Sequence, residues 1–232
     1  MNKELIGFIC AVAAIAIFLW ALNRRRLSPA RLEATIAKNA EGWKSEEAKA
    51  WLVEFCRFWR GLGFFEKFKG VSDEGLAQKL TEMIPRESGF PFNPRDEFTE
   101  IGVLMLDPDR FWFEDTEADV CMENKVYERI ISEWAKISRG AFNPQELHEL
   151  WHSDKGPIEV HFKLKDQSHT LHPDYNDDWF DLPILIEINK MIKDTGAMFY
   201  VYVPDQCAGV IALTKEEHAV IKKERKIKFD VL

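Results

Sequence analysis

Cysteine is scarce and unpaired in this chain: Cys10, Cys56, Cys121 and Cys207 stand among 232 residues without a C-x-x-C motif. That spacing argues against a zinc knuckle and a disulfide frame, and predicts reduced, mostly buried thiols. There is no P-loop, no G-x-G-x-x-G and no G-x-S-x-G. Glycine-cradled nucleotides and nucleophile-elbow hydrolysis therefore lack a sequence basis. Internal repeats and low-complexity tracts are absent too. Positive charge is in deficit, with 31 Lys and Arg against 39 Asp and Glu, a net −8. Beyond residue 26 the balance is 27 against 38, or −11. Phosphate backbones repel such a surface, so no nucleic-acid partner is expected.

One long apolar run is present. Leu5–Leu22 is eighteen residues without a charge. As a helix it would span about 27 Å at roughly 1.5 Å per residue, close to a hydrocarbon core of about 30 Å. Trp20 falls at its end, where an interfacial ring belongs. A cleaved signal peptide is the other reading, but its small-residue triplets, Ala11–Ala13 and Ala14–Ala16, lie inside the run, which ends in Arg24, Arg25 and Arg26. Residues 1–26 thus read as a single-pass membrane anchor with lipid contact over residues 5–26. Lys3 is the one basic residue before the run, whereas Arg24–Arg26 and Arg31 follow it. The positive-inside rule then predicts a bacterial inner-membrane protein with its N-terminus out and its C-terminal part in the cytoplasm. The triple Arg is placed to meet anionic headgroups.

The remainder reads as α+β, with a helical segment over 27–95 and an α+β domain over 96–232, packed together as one cytoplasmic unit. Ser28-Pro29, Ser45 and Ser72 mark helix starts, the second followed by an amphipathic stripe of Ala48, Trp51, Leu52, Phe55 and Trp59. The proline-rich stretch SGFPFNPRDEF, residues 88–98, is a linker candidate. Val103–Leu106 and Arg110–Phe113 read as short strands. Asn124 reads as the cap of a helix carrying Val126, Ile130, Trp134 and Ile137. Then Asn143-Pro144 opens another short helix. The C-terminal part reads ββαββα(β), with an antiparallel sheet: Ile158–Leu164 alternates, residues 184–192 form a helix, and MFYVYV and AGVIAL are strands. Thr214 and Glu217 form a capping box, and KIKFDVL adds a final strand.

His148, Glu149 and His152, in HELWH, match H-E-x-x-H. On a helix the two His lie one turn apart and can bind zinc, with the Glu as general base. A membrane-anchored zinc hydrolase is the alternative reading they support. Context opposes it: Glu146 and Asp154 flank the motif, no third ligand sits at a fixed spacing, and the next His is His161. A helical wheel puts Leu147, Leu150 and Trp151 inward and Glu149 outward. His161 is out of phase with the apolar face of its strand, and His169 and His172 read as exposed hairpin residues. No metal or other cofactor is expected.

Two acidic clusters remain, Glu114, Asp115, Glu117 and Asp119, and Asp174, Asp177, Asp178 and Asp181. Such runs are often solvated surface, but they can also present an anionic face to a basic protein. From FWFEDTEADVC through EWAKISRGAFNP, GPIEVHFKL, DDWFDLPILIEIN and VPDQCAGVIALTKEE, roughly residues 107–220, the chain resembles a group of uncharacterised bacterial proteins. Small acidic proteins of that kind occur beside polymorphic toxins as immunity factors. The resemblance implies a protein-binding module that neutralises a toxin, more a binder than an enzyme, and it carries no catalytic residue. The partner-binding candidates are Glu114, Asp115, Glu117, Asp119, Asp177 and Asp178.

Overall fold

A computed structural model describes residues 29–84 and 90–232. The apolar run and its arginines lie outside them, as does part of the expected linker. Among the described residues no helix is long and apolar enough to cross a membrane. The chain divides into two compact units, one up to Asp107 and one from Pro108.

The first unit is helical: α1 (Pro29–Gly42), α2 (Glu46–Gly61), α3 (Asp73–Met83) and α4 (Glu97–Leu104). The serine caps form as expected, Ser45 Oγ accepting from Ala48 N and Ser72 Oγ from Gly75 N, both at 3.1 Å. The stripe of α2 buries Leu52, Phe55 and Trp59 against Phe64 and Phe65. Val103–Leu106, expected as a strand, is the end of α4 and the turn after it. The start is fixed by Asp96, whose carboxylate accepts from Phe98 N at 3.0 Å. An apolar run this short carries too little periodicity to separate helix from strand. Because α4 groups with the helices before it, the helical unit extends past residue 95.

The second unit carries β1 (Phe111–Asp115), α5 (Val126–Ile137), β2 (Gln145–Trp151), β3 (Ile158–Leu164), β4 (Gln167–Leu171), α6 (Ile184–Ile192), β5 (Ala197–Tyr202), β6 (Cys207–Thr214) and α7 (Lys215–Glu224). Two antiparallel three-stranded sheets form, ordered β1-β6-β5 and β2-β3-β4. β6 is buried along almost its whole length, as the central strand of its sheet. At its middle, Gly209 lies under an aromatic: a Cβ there would approach Phe111 Cζ to 2.6 Å. One core joins both sheets with α5 and α6, through Trp112, Trp134, Phe142, Phe162, Ile188 and Phe199 among others. Asn189 of α6 brackets the backbone of Phe199 on β5, donating to its carbonyl at 2.9 Å and accepting from its N–H at 2.7 Å. The Thr214–Glu217 capping box is present.

Three local expectations need correction. HELWH lies on a strand, β2, and at its end, with no helix after Asn143-Pro144. Asn124 does not cap α5. Its side chain turns back to Asp119, and Lys125, at φ +47°, stands at the cap position with no side-chain bond to the first-turn backbone. The final segment makes a single antiparallel bridge, Val201 to Asp230, instead of a strand.

Candidate functional site

On β2 the side chains of HELWH alternate between faces. β2 runs antiparallel to β3, with His148 opposite His161, Leu150 opposite Glu159 and Trp151 opposite Ile158. His148, Leu150 and His152 share the outer face, where Leu150 is 40% exposed, contrary to the helical wheel. Glu149 and Trp151 face the core. β2 ends at Trp151 and His152 lies in the bend after it, so the two His are not spaced as on one turn of a helix. The carboxylate meant to act as base is on the opposite face. A zincin site does not form from these three residues.

Glu149 has another task. It is 5% exposed; one carboxylate oxygen accepts from Glu128 N at 3.0 Å and the other from Trp151 Nε1 at 2.7 Å. Glu128 is the third residue of α5, so this carboxylate caps a helix whose own cap residue offers no side chain. The bond is returned, Glu149 N donating to Glu128 Oε2 at 3.4 Å. The motif is thus a strand that supplies a helix cap from across the core.

The outer face of β2-β3-β4 collects polar groups that the sequence leaves far apart. Glu159 accepts from His161 Nε2 at 2.9 Å and His152 Nε2 at 3.2 Å, and His161 Nδ1 lies 3.0 Å from Thr170 Oγ1. The imidazoles, that of His152 foremost, hold the Glu159 carboxyl below the usual carboxylate range. Among the described residues no group of three His, Cys, Asp or Glu is arranged to hold a metal.

The acidic segments come together. Ala118 N donates to Asp178 O at 2.8 Å and Phe180 N to Thr116 O at 3.1 Å, while Glu117 bridges Trp179. A third loop joins them: Thr116 donates through N and Oγ1 to Gln206 O, and Gln206 Nε2 donates to Asp115 at 3.1 Å. Asp205 therefore belongs to the same surface, which sequence reading missed. Trp179, 39% exposed, sits amid these carboxylates. Its setting, Asp-Asp-Trp before a buried Phe, was the available signal: a large ring among turn residues with no apolar periodicity to bury it.

The six candidate residues are not equivalent. Glu117, Asp119, Asp177 and Asp178 are exposed. Glu114 is held by Arg129, whose Nη1 donates to both of its oxygens at 2.6 and 2.7 Å, so its charge is largely cancelled. Asp115 is half-buried and turned to local duties, accepting from Glu117 N at 2.9 Å. Asp174 and Asp181 lie in the same loop, the Asp181 carboxyl accepting from Asp174 N at 3.0 Å. Burial raises the Asp181 carboxyl above its ordinary range. The Cys207 thiol, at the rim, is pushed up to about 11 by burial and then by Asp115 and Asp205. The net charge is equally localised. Residues 1–107 carry 15 basic and 15 acidic groups, so the whole −8 belongs to residues 108–232, with 16 against 24.

Comparison with models of protein families, with curated proteins and with solved structures gave no match.

Proposed function

We propose that this protein is a membrane-anchored, cytoplasmic protein-binding module whose acidic loops receive a basic protein, in the manner of an immunity protein that neutralises a toxin. The observation that carries the reading is the convergence of loops 115–119, 176–180 and 204–206 around the exposed Trp179. Interfaces take most of their energy from a few anchors, with Trp prominent among them, while surrounding charges set encounter rate and partner choice. A solvated acidic surface would have little use for a half-exposed indole. The resemblance over residues 107–220 points to a toxin as the partner, and the apolar run with its following arginines points to the cytoplasmic face of a membrane.

Two experiments test the reading. With a bound partner in hand, Trp179→Ala in the full chain is expected to weaken binding by about thirtyfold or more, as for a hot-spot residue. Converting Glu117, Asp119, Asp177 and Asp178 to amides is expected to slow association and flatten its salt dependence, with less change in dissociation. An association rate indifferent to salt and to these substitutions would show that the negative charge serves solubility alone. Separately, a reporter fused after Leu232 should behave as cytoplasmic, and neutralising Arg24–Arg26 should scramble its orientation. Export of the intact fusion in active periplasmic form would reverse the topology.

A further inference from the structure

The acidic unit has one region of opposite sign. Lys222, Lys223, Arg225, Lys226 and Lys228 fall within seven residues, with only Glu224 to offset them. That segment carries +4, while the rest of the unit carries −12. The four lysines are exposed, and among the described residues none forms an ion pair. Elsewhere in the unit, Lys125, Arg129, Lys136, Arg139 and Lys163 are paired with carboxylates, and the lysines without an ion pair among the described residues, such as Lys155, Lys165 and Lys215, are not gathered into so dense a run.

The fold holds these lysines outward. After α7 the chain alternates, with Ile227 and Phe229 buried and Lys226 and Lys228 exposed. His218 of α7 stacks on Tyr200 with ring centroids 4.1 Å apart, and its Nε2 donates to Phe229 O at 2.7 Å. Val201 and Asp230 exchange two backbone bonds of 2.8 Å. The tail is thereby pinned to β5, and its ammonium groups stand on a fixed scaffold. Exposed apolar side chains accompany them in sequence: Val220 on α7, and Val231 and Leu232 after the tail.

We infer that this patch, Lys222, Lys223, Lys226 and Lys228 with Val220, Val231 and Leu232, docks the unit on an anionic phospholipid surface. Lys and Arg side chains held at the surface of an anionic bilayer are attracted to its headgroups, each adding to the binding. Because charges more than about 8 Å away are screened at physiological salt, a net acidic unit can still dock through a basic face. The inference rests on the anchor reading of Leu5–Leu22, since a tether raises the effective concentration of the patch at the surface.

The test uses the full chain with vesicles of phosphatidylcholine alone, or of phosphatidylcholine with phosphatidylglycerol. Amine-reactive labelling is read residue by residue, with the exposed Lys155 and Lys165 as internal controls. On the anionic vesicles the four lysines should label about tenfold more slowly than on neutral ones, recovering near 1 M salt, where screening shortens to about 3 Å. The anchor is read separately, as salt-resistant flotation with neutral vesicles. Loss of that flotation, with salt-sensitive protection on anionic vesicles retained, would remove the anchor and leave the patch. Equal labelling on both vesicle types would overturn the docking proposal and leave the anchor. Protection without vesicles that disappears on dilution would also overturn it, since a second copy would then be the occupant.

Discussion

Replacing Glu149 with alanine is expected to lower unfolding free energy by about 3 kcal/mol, because two buried donors lose their acceptor and each unsatisfied group costs roughly 1–3 kcal/mol. Those donors are the N–H of Glu128, in the largely buried first turn of α5, and the indole N–H of Trp151. The carboxylate's charge is tolerated in the core because it faces a helix N-terminus, where the aligned peptide dipoles are positive. Glu149→Gln keeps one acceptor oxygen and should recover about half of the loss. His148→Ala, on the outer face of the same strand, and His152→Ala, just past its end, should stay within about 0.5 kcal/mol. Denaturant unfolding with an unchanged slope would report all four variants on one scale. If the histidines proved essential while Glu149→Ala was silent, HELWH would be acting as a motif and not as a strand.

The reason the sequence misleads here is specific. Leu147, Leu150 and Trp151 satisfy a helical stripe as well as they satisfy a strand, and Asn143-Pro144 is an acceptable helix start. What decides is tertiary. A bulge between Gln145 and His148, with Glu146 at φ +55°, brings Glu149 and Trp151 inward. The pairing with Ile158–Leu164 then fixes the register. Elements with their own chemistry at the ends were legible: the caps at Ser45, Ser72 and Thr214, the alternation of β3, and the buried stripe of α6. Elements completed from a distance were not. Asn124 looked like a cap because nothing local shows that Glu149 supplies it. The same limit applied to the acidic clusters. Composition gave their sign, but only the backbone bonds between 116–118 and 178–180 make them one surface. Nor does the sequence show that Arg129 cancels Glu114 while Glu117 stays exposed. The basic tail was visible as letters throughout. Its meaning depended on the alternation that turns its lysines outward.

Phe142→Ala is expected to cost about 3–5 kcal/mol, the range for truncating a fully buried aromatic ring. Phe142 has no exposed surface and presents its ring edge-on to Phe162 of β3 at 5.7 Å and to Phe199 of β5 at 6.1 Å. It therefore touches both sheets at once. Each such aromatic pair adds about 0.5–1.5 kcal/mol beyond the area it buries. The ring is also aimed from its own backbone. Gly140 takes φ +82° to turn the chain after α5, and Ser138 Oγ accepts from Phe142 N at 3.1 Å and reaches Phe142 O at 2.9 Å. With its backbone so fixed, the site cannot collapse around an alanine, and the cavity should remain. Phe142→Leu fills most of that volume without the edge-to-face pairs, and should lose roughly half as much. Against a total stability of about 5–15 kcal/mol, the alanine variant leaves the unit close to its threshold. The discriminating measurement is whether unfolding stays a single transition by both near-UV and far-UV signals. One shared, earlier transition is expected, because the core that joins the sheets extends well beyond this ring. Two separated transitions would show that Phe142 alone had held the unfolding of the two sheets together.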